Sequence, residues 1–113
     1  MRIYISGPMT GRANKNADAF LAAENQLQAK GWTVENPYRL DQELDGMHRA
    51  LNRPLPTREQ YLKRDIQLLT FCDAICMLPG WGWSNGASLE LAVANGIGLR
   101  AYFGVEEVPV CPR

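Results

Sequence analysis

Short apolar runs alternate with amphipathic stretches along this chain, and the alternation predicts strands and helices in turn. Residues 3–5 form a β-favouring run that stops at a Ser-Gly-Pro turn cluster. Apolar side chains then recur at helical spacing over residues 17–30, with Asn16 as the expected N-cap. Residues 32–34 form a second short run, ended by an Asn-Pro pair. The chain therefore begins as strand, helix, strand.

A long polar interruption follows before the alternation resumes. Residues 38–56 are polar and include two prolines, so we expect an extended loop there, functional or mobile. A capping box at residues 57–60 predicts the start of the next helix. Residues 73–78 are almost wholly apolar, as in a central parallel strand covered on both faces. Ser84 or Asn85 then caps a further helix.

A fourth β-favouring run at residues 99–103 completes the order βαβαβαβ. This order with short connections is typical of a parallel sheet with right-handed crossovers. We therefore expect an α/β fold over residues 1–104: a small doubly wound, flavodoxin- or Rossmann-like parallel sheet of about four strands with helices on both faces, followed by a tail at residues 105–113. Such sheets bind ligands outside the carboxyl ends of their strands, where the direction of winding reverses.

Composition narrows the classes of function. The chain has 113 residues, the length of one domain, and 12 Lys and Arg balance 12 Asp and Glu. Zero net charge argues against polymeric nucleic acid as a partner, but a small phosphorylated ligand needs only a few cations, and nine of the 12 are Arg. We expect a cytoplasmic protein with no membrane partner, because no apolar run approaches the roughly 20 residues of a membrane span and no signal peptide is evident.

The cysteines and the single histidine do not point to a cofactor. Cys72, Cys76 and Cys111 lack the spacing of metal ligands, so we expect free thiols, buried in the case of the first two. His48 lies in the polar stretch without an evident partner, which makes a histidine-based triad unexpected. We therefore expect neither a metal nor another cofactor.

Two predicted loops carry candidate binding residues, and each also has a purely structural interpretation. The loop after the first strand is rich in glycine, which lets backbone N–H groups approach an anion, but a plain turn explains it equally well. The later loop holds Trp81 and Trp83, and Ser84 opens a helix whose dipole favours an anion. An N-cap serine with two tryptophans at the rim is the structural alternative.

Two acids are the candidates for proton chemistry. Glu90 lies in the second turn of the last helix and is able to point toward the strand ends, or else is solvated. Asp65 lies beside the apolar stripe of its helix, so it either pairs with Arg64 or Arg58 or faces a cleft.

In order and spacing, these segments resemble the nucleoside 2-deoxyribosyltransferase superfamily, and more closely a small branch common in phages and bacteria. The resemblance rests on the first strand with its Ser-Gly-Pro turn, the Asp65 helix and the pattern Ser84-x-Gly86-x-x-x-Glu90. It implies cleavage of an N-glycosidic bond, with Glu90 as the nucleophile, Tyr4 positioning it, and Asp65 protonating the leaving base. Ring chemistry suggests that Trp81 or Trp83 stacks on that base.

Ser84 refines the expected substrate. Transferases of the superfamily have an aspartate six residues before the nucleophile, whereas the branch that hydrolyses nucleoside 5′-monophosphates has a phosphate-binding serine there. That branch also has an arginine at the position of Thr10, for which Arg12 is the candidate substitute. The resemblance and the ring chemistry together predict substrate binding by residues of the two loops: Gly7, Pro8, Met9, Arg12, Trp81, Ser84 and Gly86.

The expected function is hydrolysis of a nucleoside 5′-monophosphate through a covalent glycosyl-Glu90 intermediate, with base exchange as a related outcome. The alternatives are a non-catalytic module that binds or senses a nucleotide on the same scaffold, and a structural protein that retains only the scaffold. Members of the superfamily commonly assemble, so we also expect a homodimer or larger homo-oligomer.

Overall fold

Four short strands form one parallel sheet, and each strand ends where the apolar run of the sequence ends. The computed structural model describes residues 1–112. The spatial order of the strands is β2-β1-β3-β4, with every neighbouring pair parallel. The strands are β1 (Arg2–Ser6), β2 (Thr33–Glu35), β3 (Ala74–Met77) and β4 (Arg100–Phe103).

Four α-helices connect the strands, and they confirm the predicted α/β class. The helices are α1 (Ala17–Ala29), α2 (Pro37–Ala50), α3 (Arg58–Leu69) and α4 (Asn85–Gly96). Short 3-10 turns lie at Ala13–Asn16, Trp81–Trp83 and Val105–Glu107. No helix described over residues 1–112 is both long enough and apolar enough to cross a membrane.

Each face of the sheet is covered by helices, because side chains of a strand alternate between faces. Ile3 and Ile5 of β1 pack with Phe20 of α1 in one buried cluster. Tyr4, between them, joins a second cluster with residues of β3, α3 and α4, among them Leu69. The predicted doubly wound arrangement is therefore confirmed, with α1 on one face and α3 and α4 on the other.

The prediction of a loop over residues 38–56 is wrong for most of its length, because α2 occupies Pro37–Ala50. Proline is favourable in the first turn of a helix, and the Asn36 side chain accepts a hydrogen bond from the Tyr38 N–H at 3.0 Å. Two of its buried side chains are acids, Asp41 and Asp45, each 6% exposed. The prediction overlooked apolar side chains that recur at helical spacing along this segment: Leu40, Leu44, Met47 and Leu51.

The winding direction reverses between β1 and β3. The chain leaves β1 through α1 to reach β2 on one side, and leaves β3 through α4 to reach β4 on the other. At this point the two strand ends approach closely: a Cβ atom on Gly7 would lie 2.8 Å from Cβ of Leu78. Only glycine fits there, and the crevice that ligands occupy in such sheets opens just beyond it.

The first connection differs from its prediction in detail. Asn16 holds the N-cap position of α1, but its side chain makes no cap and instead donates to the Pro8 carbonyl at 3.0 Å. Asn14, Lys15 and Asn16 all have positive φ, between 47° and 64°. Such a run is unusual for residues with side chains, and it brings Lys15 to the carboxyl edge of the sheet.

Residues 105–112, which the sequence pattern left unassigned, pack along the α1 face. Val108 is 2% exposed and belongs to the core cluster on that face. The Lys30 ammonium donates to the carbonyls of Val105 and Val108 at 2.8 and 2.6 Å. The Trp32 indole N–H donates to the Pro109 carbonyl at 2.9 Å.

The cysteines are free, as predicted. Cys72 and Cys76 are buried, and Cys111 is partly buried. Burial raises the pKa of the Cys72 and Cys76 thiols to about 12, so both remain protonated near neutral pH.

Candidate active site

Glu90 is a buried acid whose two carboxylate oxygens each accept a hydrogen bond from the sheet. The side chain is 6% exposed. The Tyr4 hydroxyl donates to Oε2 at 2.6 Å, and the Ser6 hydroxyl donates to Oε1 at 2.7 Å. Tyr4 and Ser6 lie two residues apart on β1, so their side chains point to the same face, the one that α4 covers. Strand and helix together hold the carboxylate in one orientation.

Burial has a large effect on the chemistry of this carboxyl group. Loss of hydration raises the pKa of Glu90, the negative charge of Asp65 also raises it, and the hydrogen bonds from Tyr4 and Ser6 lower it. The net result is a pKa of about 7. Burial, followed by the charge of Glu90, raises the pKa of Tyr4 well above its ordinary value, so the phenol stays protonated as a donor. Glu90 therefore changes charge near neutral pH.

Asp65 forms an ion pair with Arg64 and also lines the cleft. The sequence offered these two arrangements as alternatives, and the structure has both. The guanidinium Nη2 lies 2.5 Å from Asp65 Oδ1, and Nε lies 3.1 Å from the same oxygen. The same Nη2 lies 2.5 Å from Oδ1 of Asp41 on α2. Burial raises the pKa of Asp65 to about 6, against the lowering effect of Arg64. Arg58, the other suggested partner, forms no ion pair with Asp65.

A cleft of about 930 Å³ opens at the carboxyl edge, between the loop after β1 and the first turns of α3 and α4. Glu90 and Asp65 both line it, and so do six further predicted residues: Gly7, Pro8, Met9, Arg12, Ser84 and Gly86. Tyr4 lies beneath Glu90, outside the lining. The cleft is of the size that takes a small-molecule ligand.

The two tryptophans have different positions. Trp83 lines the cleft and is 92% exposed. Trp81 lies outside the lining and packs against Phe103, with ring centroids 5.7 Å apart. Of the two rings, only that of Trp83 is available to a ligand in the cleft.

One part of the cleft is rich in hydrogen-bond donors. Arg12, Lys15 and Arg58 line it, and within residues 1–112 neither arginine forms an ion pair. Ser84 caps α4 by accepting from the Ala87 N–H at 3.2 Å, which leaves the first backbone N–H groups of the helix available to an anion.

Gly80 is needed beside this donor-rich part of the cleft. Its φ is +86°, and a Cβ atom there would lie 2.7 Å from Nη2 of Arg12. The glycine thus allows the Arg12 side chain to pass over the backbone at this point.

Sequence reasoning missed several residues of the site. Ser6 was detectable, because it follows Tyr4 by two residues on one strand and so shares its face. Three other residues of the site had no such signal. Asp41 reaches the cleft from α2, which was not predicted, and Lys15 from a left-handed turn. Arg58 reaches it from the first residue of α3. Over residues 1–112 no three His, Cys, Asp or Glu side chains converge in a way that would hold a metal ion.

Comparison with known proteins gives one match. The model of a family described as a domain of unknown function, DUF4406, matches residues 1–103. No curated protein matches the chain. The matched residues include all four strands, all four helices and the entire lining of the cleft. The chain therefore belongs to the DUF4406 family.

Proposed function

We propose that this protein hydrolyses the N-glycosidic bond of a nucleoside 5′-monophosphate, with Glu90 as the nucleophile. The observation that supports this best is the arrangement of Glu90 itself. Both of its oxygens accept hydrogen bonds from β1 hydroxyls, and it borders a cleft that a second acid, Asp65, also lines. Paired carboxyl groups of this kind are the machinery of retaining glycosidic cleavage.

The first step forms a covalent intermediate. An oxygen of ionised Glu90 attacks the anomeric carbon, and the bond from that carbon to the base nitrogen breaks with its electron pair going to the base. Protonated Asp65 gives its proton to the departing base. The products of this step are a glycosyl ester of Glu90, an ionised Asp65 and the free base.

The second step regenerates the enzyme. Asp65 takes a proton from water as the water oxygen attacks the anomeric carbon, and the ester bond to Glu90 breaks. Hydrogen bonds from Tyr4 and Ser6 stabilise the carboxylate as it leaves. A second base in place of water would give base exchange by the same route.

The donors near the start of α4 suit the 5′-phosphate. Arg12 and Arg58 line the cleft without an ion pair in residues 1–112, and Ser84 opens the helix. Two guanidinium groups and the free N–H groups of a helix N-terminus are donors that bind phosphate oxygens well. Trp83, the more exposed of the two rings, is the one that we propose stacks on the ligand.

A non-catalytic nucleotide-binding module is the second candidate. The observation in its favour is the ion pair of Asp65 with Arg64, at 2.5 Å, because an arginine partner favours the ionised carboxylate that has no proton to donate. This candidate keeps the same ligand and the same cleft but has no turnover.

Self-association is also part of the proposal. Trp83 is 92% exposed and Leu89, next to the nucleophile in the chain, is 45% exposed. Large apolar side chains exposed beside a cleft are typical of contact surfaces, so we propose a homodimer or larger assembly. A sedimentation experiment that finds only the 12.7 kDa chain at all concentrations would contradict it.

The test is release of free base. The protein is incubated with ribo- and deoxyribonucleoside 5′-monophosphates and with the corresponding nucleosides, and the base is measured by chromatography. We expect release from a monophosphate, slower release from its nucleoside, and a loss of roughly 1,000-fold or more in Glu90→Gln. Glu24→Gln is the matched control, because Glu24 is an equally buried acid on α1, paired with Arg39 away from the cleft.

The outcomes separate the two candidates. No free base from any monophosphate, even with protein and nucleotide at equal concentration, would exclude the enzyme. Calorimetric binding of the same nucleotides without turnover would then establish the binding module. Full activity in Glu90→Gln would refute the assignment of the nucleophile.

A further inference from the structure

Arg64 is divided between two carboxylates that come from different helices. Its Nη2 atom lies 2.5 Å from Oδ1 of Asp41 on α2 and 2.5 Å from Oδ1 of Asp65 on α3. Its Nη1 atom is buried and has no hydrogen-bond partner within residues 1–112. Nη2 therefore serves both acids, Nε donates to Asp65 alone at 3.1 Å, and Nη1 serves neither. Both donors to Asp65 reach the same oxygen, so Asp65 lacks the bidentate pair, one donor to each oxygen, that an arginine ordinarily gives a carboxylate.

Charged and titratable groups face Asp65 from every element packed around it. Arg64 comes from α3 itself, Asp41 from α2, Tyr4 from β1 and Glu90 from α4. The ammonium of Lys15 acts on Asp41 from the turn before α1. Among these groups, Asp41 is the one that accepts a hydrogen bond from Arg64 together with Asp65.

We propose that Asp41 is a positioning residue that keeps Asp65 able to hold a proton, by sharing the Arg64 guanidinium with it. The inference rests on the proposed function in so far as Asp65 donates that proton to the leaving base. Asp41 acts in two ways in the same direction: it draws part of the positive charge away from Asp65, and its own negative charge disfavours ionisation of Asp65. It never touches the reacting atoms.

Because Arg64 is shared in this way, the pH range over which Asp65 stays protonated depends on the position of α2. With α2 in place, Arg64 is shared and Asp65 retains a proton to higher pH. With Asp41 withdrawn, Arg64 and Asp65 form an unshared pair, and Asp65 is ionised over a wider range of pH. Helix α2 thus controls the protonation of the proton donor.

Asp45 supplies a matched control on the same helix. It lies four residues after Asp41, on the same side of α2, and is equally buried at 6% exposure. It pairs with the Tyr61 hydroxyl and, at 3.8 Å, with Lys15, but not with Arg64. Asp45→Asn therefore removes the same charge from α2 while the sharing of Arg64 remains.

The experiment is a carboxyl ¹³C NMR titration of the protein without ligand, with the Asp65 signal identified by its loss in Asp65→Asn. We expect Asp41→Asn to lower the titration midpoint of Asp65 by about one pH unit. Asp45→Asn is expected to leave it within a few tenths of a unit. Arg64→Met removes the cation and is expected to raise the midpoint by about one unit or more.

A purely structural role for Asp41 would not give opposite shifts in Asp41→Asn and Arg64→Met. An unchanged midpoint in Asp41→Asn, or equal shifts in Asp41→Asn and Asp45→Asn, would overturn the inference. Should Arg64→Met fail to fold, the two asparagine variants still decide it.

The pH dependence of base release separates this inference from the proposed function. In Asp41→Asn we expect kcat to fall about tenfold at pH 8 but only about twofold at pH 5, with KM unchanged. If the wild-type protein releases no base, the proposed function and the donor role both fail, while the titration still shows whether Asp41 sets the protonation of Asp65. If it does release base and the midpoint does not move, only this inference fails.

Discussion

At the scale of single residues, opposing influences set the charge of Glu90. Burial and the neighbouring charge of Asp65 raise its pKa, while hydrogen bonds from Tyr4 and Ser6 lower it, and the balance lies at about 7. The pKa of Asp65 lies at about 6. The proposed reaction needs Glu90 ionised and Asp65 protonated, so we expect activity to be highest between these two values and to fall on both sides.

Tyr4→Phe tests this balance at one hydroxyl. The variant loses a hydrogen bond that favours the ionised carboxylate, so the pKa of Glu90 rises and less of the protein combines ionised Glu90 with protonated Asp65. For a rise of about one unit we expect roughly tenfold less activity at pH 6 and about twofold less at pH 8. Ser6→Ala is expected to lower activity at pH 6 in the same way but less, since the Tyr4 bond is the larger influence.

The control for Tyr4→Phe is Tyr102→Phe, which removes a phenol from β4 on the α1 face of the sheet. We expect its pH–rate profile to match that of the wild type. Activity at pH 6 in Tyr4→Phe that equals or exceeds that of the wild type would contradict the account of Glu90.

At the scale of elements, the N-cap residues of α3 and α4 differ in whether they border the cleft. Thr57 caps α3 in a complete capping box with Gln60, and α3 carries Arg64 and Asp65. Ser84 caps α4, which carries Glu90, and it also lines the cleft. Each cap fixes a helix that bears one of the acids, but only Ser84 borders the cleft.

Alanine at each cap separates these tasks. We expect Thr57→Ala and Ser84→Ala each to lower the free energy of unfolding by about 1 kcal/mol, measured in urea. Only Ser84→Ala should also weaken binding of a nucleoside monophosphate, measured by calorimetry. Thr57→Ser and Ser84→Thr retain the caps and should retain stability. Equal losses of affinity in the two alanine variants would argue against a phosphate contact at Ser84.

The elements also show how much could be predicted from sequence. The four strands and three of the helices followed from apolar spacing and caps, and with them the doubly wound sheet and the location of the cleft. Helix α2 was overlooked, although Leu40, Leu44, Met47 and Leu51 have helical spacing. The burial of its acids Asp41 and Asp45 had no local pattern, because their partners lie on other elements: Arg64, Tyr61 and Lys15.

At the scale of the whole molecule, the buried acid makes stability depend on pH. The pKa of Glu90 is about 7 in the folded chain against an ordinary value of 4.5. Between these values the folded state binds more protons than the unfolded state, so this group makes the protein less stable as pH rises through the interval. The loss is complete above the folded pKa and absent below the ordinary one.

Glu90→Gln removes this dependence. Relative to the wild type, we expect its free energy of unfolding to rise with pH, by about 3 kcal/mol between pH 4 and pH 8. Urea unfolding of both proteins across this range measures the difference, and matching circular dichroism spectra show that the fold is retained. A difference that is constant with pH would mean that Glu90 titrates alike in the folded and unfolded states. This test needs no substrate.

The two-residue spacing of Tyr4 and Ser6 on β1 has a consequence for how this site can change over time. Moving the strand by one residue would present Ile3 and Ile5 to Glu90 and send both hydroxyls into the opposite core. Losing a single residue within β1 would therefore be worse for the carboxylate than replacing either hydroxyl. We therefore expect related sequences to keep the number of residues between Tyr4 and Ser6, because a change of one residue moves one hydroxyl to the other face of the sheet.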